Sequence, residues 1–571
     1  MSEARQRHLQ QRLEAARRRL AGGGLPAEIP RREWRSGQPA PLSFAQERLF
    51  FLYRLAPDNP LYNRPVALRL SGALHLPTLE GSLAELLRRH SVLRSTFLDR
   101  DGAPYIVLQP PAPVRLPLVD LDGASPQALD ARLRQDSHAP IDLEHGPLAR
   151  FTLYRLGPQE HVLLGLIHHI AFDAWSANWL AAELAGLYAA PVVKPGEPGT
   201  THPHLPEPPI QYADYAVWQR EKLDRAALAP LLDDTLAALS GASLEFDLPA
   251  DRSRPPVQDE TGERYTFLLP IDLATGLRRL AVERNATLFT VLLAGFAALL
   301  YRYTGEHDFV LGTPVAGRTH LELEKLIGFF VNMVPLRCTV DGEQSVSDLL
   351  EGVRAVTQRA FNRQALPFDR LVEALHLQPN LSRPPVFSVV FNLKNLPPAA
   401  AGGPLAVELY DFDDGISPYD LSLEVAPVRG QGGEPCLECR LVYATALFDR
   451  WRIEQMGRHY LAILRGMLSE TEARVARLPM LDESELHQVL DVWGAAPPSA
   501  GELRLAHEWV AEQARRRPAA TALVEGGRRR PRVQVSYAQL NRRANRLAHY
   551  LQSLGIGVES TVGVLLPRGV D

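Results

Sequence analysis

Two adjacent histidines and an aspartate four residues beyond them, His168, His169 and Asp173, are the side chains of this 571-residue sequence best spaced to do chemistry. They follow an uninterrupted apolar run, Val162 to Ile167, that predicts a buried strand, and precede Leu180, Leu184, Leu187 and Tyr188, which recur at helical spacing. The pair thus lies at a strand-to-helix turn. Successive side chains of an extended chain face opposite ways, so one imidazole addresses a given cavity while the other braces the fold. Asp173 stands where the helix begins, placed to cap it, to pair with an Arg, or to do both.

Other chemistries fit these residues less well. A lone histidine beside an apolar strand is most often a hydrogen-bonded core or rim residue. Adjacent histidines on a strand diverge, and no HExxH or second His-rich run completes a metal site. There is no GxSxG elbow to activate a serine. What is left is imidazole chemistry without a covalent protein intermediate.

The run HHxxxDA, with Trp175 and Ser176 after it, resembles the HHxxxDG signature of condensation domains of nonribosomal peptide synthetases, within the broader chloramphenicol-acetyltransferase-like family. Further blocks resemble that family in order along most of the chain: Leu42 to Leu49 with Arg48, Arg89 to Phe97, Gln211 to Trp218, Gly312 to Arg318, Ile327 to Arg337, Leu366 to Asp369, and Leu381 to Phe387. The resemblance implies an α/β fold of two chloramphenicol-acetyltransferase-like lobes in a V-shaped pseudo-dimer, with a channel between them and His169 midway along it. Residues 39–209 and 210–475 are the expected lobes, after a basic helix and linker at 1–38. A latch from the second lobe is expected at Asp411 to Ser422.

Residues 476–505 resemble a condensation-adenylation linker, and 506–571 the opening of an adenylation domain. The chain stops before any phosphate-binding loop, so ATP and Mg are expected only for a complete adenylation domain. No bound cofactor or metal is expected for this chain.

The implied reaction is amide formation, in which the amine of a carrier-bound acceptor attacks a carrier-bound donor thioester, both delivered on 4'-phosphopantetheine. With a reference pKa of about 7.7–8.0, an α-amine is already partly neutral at pH 7. His169 is then expected to orient the amine and take its proton, worth roughly 10²–10⁴-fold. Placing both thioesters together is worth about 7–11 kcal/mol. Asp173 is expected to hold the turn by pairing with Arg337, His168 to be structural, and the first N–H groups of the helix to favour the oxyanion. Ala174 stands where the family has Gly, a strain if that backbone required φ > 0. Arg363-Gln364-Ala365 and Met333 also depart from the pattern.

The alternative from a different class is a catalytically silent module that binds carrier domains or recruits a tailoring enzyme, with Ala174 as its mark. An epimerase is disfavoured by the adjoining adenylation-like segment, and heterocyclisation by the absence of DxxxxD.

An apolar fraction of 46% with 22% charged residues describes a globular protein, not a disordered one. At 571 residues the chain exceeds one ordinary core. A net charge of -4 gives no sequence-wide attraction to nucleic acid or membrane. Three cysteines, Cys338, Cys436 and Cys439, are too few for a disulfide framework and suit a cytoplasmic setting. Residues 1 to about 20 predict a helix with Leu9, Leu13 and Leu20 on one side and a basic excess. With no carrier domain before it, the donor carrier protein is expected on a separate polypeptide, and the acceptor carrier domain downstream.

Overall fold

The computed structural model describes residues 28–189, 205–378, 380–394, 405–429, 435–494, 504–525, 533–566 and 569. The predicted leader helix, most of the Pro-rich connection at 191–209 and the boundary at 497–501 lie outside them. Residues Met1–Asp482 form one compact unit and Glu483–Asp571 a second.

The first unit is built on two sheets, each with its own core. The first sheet has the strand order Ala406–Tyr410, Asn63–Ser71, Glu160–His168, Ala149–Gly157, Leu118–Asp120. Its central strand, Glu160–His168, is flanked on both sides, and Val162 through His168 are all buried. Alternation divides the apolar run: Val162 and Leu164 pack with Leu129, Leu133 and Tyr154 on one face, and Leu163 and Ile167 join the main core on the other. On that second face lies the helix Leu76–Arg89, whose Leu79, Leu83 and Leu86 recur at helical spacing and are buried. The helix Ala174–Ala189 packs against it.

The second sheet runs Asn332–Thr339, Asp308–Val315, Val389–Leu393, Leu421–Arg429, Pro435–Ala444, Gly262–Leu269. Its core is centred on the helix Leu288–Thr304, apolar almost all round and buried, capped by the Thr287 side chain at one end and by Gly305 in the left-handed region at the other. No single helix among the described residues is long and apolar enough to cross a membrane.

Among the described residues three segments cross between the sheets. Ala406–Tyr410 leaves the second half to add an edge strand to the first sheet, antiparallel to Asn63–Ser71. The predicted latch, Asp411 to Ser422, proves to be the return leg. Asp413 is held by Arg134 at 3.0 Å, the Asp414 carbonyl contacts His138 Nε2 at 2.7 Å, and Leu421 already lies in the second sheet. The crossing therefore starts upstream of its expected position, where five residues satisfy an open edge. Second, the helix Tyr212–Lys222, beyond the expected lobe division at 209, buries Tyr212, Tyr215 and Trp218 in the first core. Third, Leu323, Leu326, Ile327, Phe329 and Phe330, from the loop between two strands of the second sheet, are buried in the first core as well.

In the second unit a strand pair, Thr521–Glu525 with Val533–Ser536, leads into the helix Tyr537–Ser553, which opens with a Ser536/Gln539 capping box.

Candidate active site

The central strand ends at His168, and His169–Ala171 form a single 3-10 turn before the helix Ala174–Ala189. Two side chains fix the turn. His168 Nδ1 accepts from the Ile170 N–H at 3.1 Å, and Gln46 Nε2 donates to the Ile170 carbonyl at 3.1 Å. Gln46 is itself held by its capping box with Ser43 at the start of the helix Phe44–Leu55. His168 is buried beside Tyr53 and Tyr62, as a bracing residue would be.

His169 is part-exposed and packs on the Phe329 ring, with centroids 4.4 Å apart. Its Nδ1 lies 2.5 Å from the Phe172 carbonyl. A carbonyl only accepts, so Nδ1 carries the hydrogen and Nε2 carries the lone pair when the ring is neutral. Burial holds the His169 pKa well below its ordinary value, and the nearby Arg64 charge pushes the same way. Burial, again with Arg64, lowers His168 to about 3. Both rings are neutral at pH 7, and His169 offers a hydrogen-bond acceptor at Nε2.

Asp173, 2% exposed, is consumed by structure. Oδ1 accepts from the Ser176 N–H at 2.8 Å and the Ser176 hydroxyl at 2.7 Å, which caps the helix. Oδ2 accepts from the Phe330 N–H at 3.1 Å, and Arg318 Nη2 bridges the two oxygens at 3.0 and 3.3 Å. Arg318 also donates to the Leu323 and Leu326 carbonyls and lies over the Phe330 ring. Asp173 thereby ties the helix after the histidines to residues 318–330 of the second half. Trp175 Nε1 adds a 2.9 Å bond to the Glu324 carbonyl, and the Ser176 hydroxyl oxygen accepts from the Gly328 N–H at 3.1 Å. Gly317 (φ +65°) and Gly328 permit the close approach: an added Cβ would lie 2.0 Å from the Phe330 carbonyl oxygen at the first and 2.2 Å from the Tyr212 ring at the second.

The expected Asp173–Arg337 pair does not form. Arg337 binds Asp308 at 2.6 Å across its own sheet and the Ser240 carbonyl at 2.8 Å. Sequence reasoning named Arg337 and not Arg318; strand pairing of Arg337 opposite Val310 ties it to its own sheet. Arg48 pairs with Asp369 at 3.1 Å and lies over Phe368, joining two of the sequence blocks. Ala174 opens the helix with its methyl exposed and is absent from the positive-φ positions, so the conformational strain considered for it does not arise. The helix N-terminus is less open to an oxyanion than expected, because the Ser176 and Ala177 N–H groups are taken by Asp173.

Sequence reasoning did not single out Tyr212, whose hydroxyl contacts Ser43 Oγ at 2.9 Å and donates to the Phe329 carbonyl at 2.5 Å. Nor did it single out Arg64, although a charge at the start of an apolar strand was its visible signal. The departures Met333 and Arg363 line one shallow indentation with Phe368 and Leu371. Nearby, Asn332 Nδ2 donates to the Leu366 carbonyl at 2.7 Å and its Oδ1 accepts from the Phe368 N–H at 3.0 Å. The CxxC cysteines are both buried and in no disulfide.

Comparison with known proteins bears on the whole chain. A condensation-domain family model matches residues 37–490, and an AMP-binding enzyme model matches 510–571. A linear gramicidin synthase protein from Brevibacillus parabrevis is 39% identical over 543 residues, covering 94% of this chain and 7% of that protein. Phosphinothricin tripeptide synthetase PhsC of Streptomyces viridochromogenes is 36% identical over 564 residues, 98% of this chain and 50% of the synthetase. The chain thus spans half or less of either relative's length. Among solved structures, the X-domain from teicoplanin biosynthesis superposes with a TM-score of 0.70 at 26% identity, over 79% of this chain and 99% of that one. The starter condensation domain of rhizomide synthetase superposes at 0.65 over 78% and 98%, a likeness of fold at 23% identity.

Proposed function

Because the chain belongs to the condensation-domain family, as its ordered sequence blocks implied, we propose that it forms an amide bond between two carrier-bound substrates at His169. The acceptor amine attacks the donor thioester carbonyl, a C–N bond forms, and the C–S bond breaks. The observation that supports this is the fixed tautomer of His169. With Nδ1–H bound to the Phe172 carbonyl, Nε2 accepts from the amine, orients its lone pair toward the thioester, and takes the proton as nitrogen becomes cationic. Asp173 acts at one remove, through the fold of the turn. Two lobes, each with its own sheet, flank this turn, and the phosphopantetheine arms of donor and acceptor carriers meet between them. Positioning two tethered reactants supplies most of the acceleration. Three buried cysteines outside any disulfide fit a cytoplasmic location.

The test loads separate carrier proteins with donor and acceptor and follows dipeptidyl transfer by intact-protein mass spectrometry. His169→Ala is expected to slow transfer by about 10²-fold or more with the fold retained; equal rates reject the assignment. A second reading draws on the likeness to the teicoplanin X-domain, which is known in complex with OxyB. In it the chain binds carriers or a tailoring enzyme and is silent, and a failure of wild type with a broad set of donors would favour it.

A further inference from the structure

Arg64 is a cation on the strand that pairs with the one ending at His168, and among the described residues no anion contacts it. It lies on the strand Asn63–Ser71 opposite Ile167, and its neighbour Asn63 is opposite His168. Position 64 thus shares a face with the residue two before His169. It is part-buried, and its hydrogen bond to the Asn63 carbonyl is long, at 3.4 Å. Other arginines near the site are paired, Arg48 with Asp369 at 3.1 Å and Arg318 with Asp173 at 3.0 Å. Among the described residues no carboxylate comes within 4.0 Å of Arg64. Asp414 and Glu424 act on it only from farther away. Glu424 is engaged by Lys394 at 2.6 Å, and Asp414 Oδ1 accepts from the Ile416 N–H at 3.3 Å. The tyrosines that Arg64 also faces, Tyr62 and Tyr419, have their pKa values raised by burial and stay neutral.

A desolvated guanidinium without a counter-ion is unfavourable, and its planar fork matches a carboxylate bidentately. The phosphate of a carrier arm is separated from the thioester by the length of the arm, whereas Arg64 Nη1 reaches the carbonyl of Asn63, the residue paired with His168 next to which the thioester would react. An anion there has to belong to the acyl group itself.

We propose that Arg64 is a specificity-determining residue that receives a carboxylate on the side chain of one of the two condensing residues, so that the preferred product carries an acidic residue at the new amide bond. This rests on the amide-forming reading. Reach is supported by the strand register, which sets Arg64 opposite Ile167 and Asn63, whose carbonyl Arg64 contacts, opposite His168.

The test compares glutamate with its neutral isostere glutamine, first on the donor and then on the acceptor carrier, for the whole chain, Arg64→Met and Arg64→Lys. Wild type is expected to favour glutamate at least tenfold in kcat/KM in one arm. Arg64→Met should abolish that ratio and Arg64→Lys retain part of it. A wild-type ratio near one in both arms, or the same ratio in Arg64→Met, overturns the proposal. Because the wild-type ratio decides by itself, a poorly folding variant does not rescue the idea. Calorimetric binding of the pantetheine amides of glutamate and glutamine to wild type separates the two claims. Tighter glutamate binding without dipeptide formation from any pair sinks amide formation while supporting the carboxylate site; equal binding of the two sinks the site.

Discussion

Asp173 shows how much one carboxylate can hold when all its lone pairs are used. It caps a helix, pairs with Arg318 and fixes the Phe330 backbone. Asp173→Asn leaves a guanidinium 2% exposed without its counter-charge, and the expected cost is about 3–5 kcal/mol in denaturant unfolding. Arg337→Ala removes a pair whose partners are 28% and 32% exposed and is expected to cost only about 0–1 kcal/mol. Equal losses would contradict the assignment of Asp173 to Arg318. The strand-to-helix turn that carries the His pair and the Asp was readable from sequence, because an apolar run gives way there to helical spacing. The partner of the Asp was not, because Arg318 and Arg337 differ only in where the chain folds back. The histidines also set a pH dependence. His168 titrates at about 3 folded and about 6.5 unfolded, so below pH 6.5 the unfolded chain binds the extra proton. Its contribution is complete above pH 6.5 and is lost as pH falls toward 3. Melting temperature is therefore expected to fall between pH 7 and 5. His168→Asn, whose Oδ1 can accept from the Ile170 N–H, should flatten that slope.

At the level of elements, strong periodicity was legible and edge pairing was not. The run Val162–Ile167 appears as predicted, and the helices Leu76–Arg89 and Leu288–Thr304 likewise carry their own burial patterns in sequence. Ala406–Tyr410 was missed because five residues show too little pattern, and its partner strand lies more than 330 residues earlier in the chain. The crossing helix Tyr212–Lys222 was seen as a block but assigned to the wrong side, since an apolar face does not say which of two cores it meets. The edge strand is expected to matter to the first sheet. Val407→Asp places a carboxylate in a site only 6% exposed. Hydrogen exchange at Asn63–Ser71 should accelerate, while exchange at Leu288–Thr304 stays slow. Uniform acceleration of both would show that the two cores open as one.

For the whole molecule, every residue given a role in the site lies within Met1–Asp482. A chain ending at Asp482 is expected to transfer the dipeptidyl group between free carriers at a rate close to that of the longer chain. A large loss would place part of the machinery in Glu483–Asp571. The α/β organisation was implied by the ordered blocks through the family they resemble. The way the halves exchange segments was not, because exchange depends on which edges and grooves are left open after each half has packed.

The bond from His169 Nδ1 to the Phe172 carbonyl also restricts what the ring can do over a full turnover. An imidazole free on both sides can collect a proton at one nitrogen and discharge it from the other, as a relay to bulk water. Here one side is permanently committed, so a proton gained at Nε2 has to depart by the same atom. The natural recipient is the departing sulfur, which makes each cycle proton-neutral and leaves the ring ready for the next pair without any exchange with solvent.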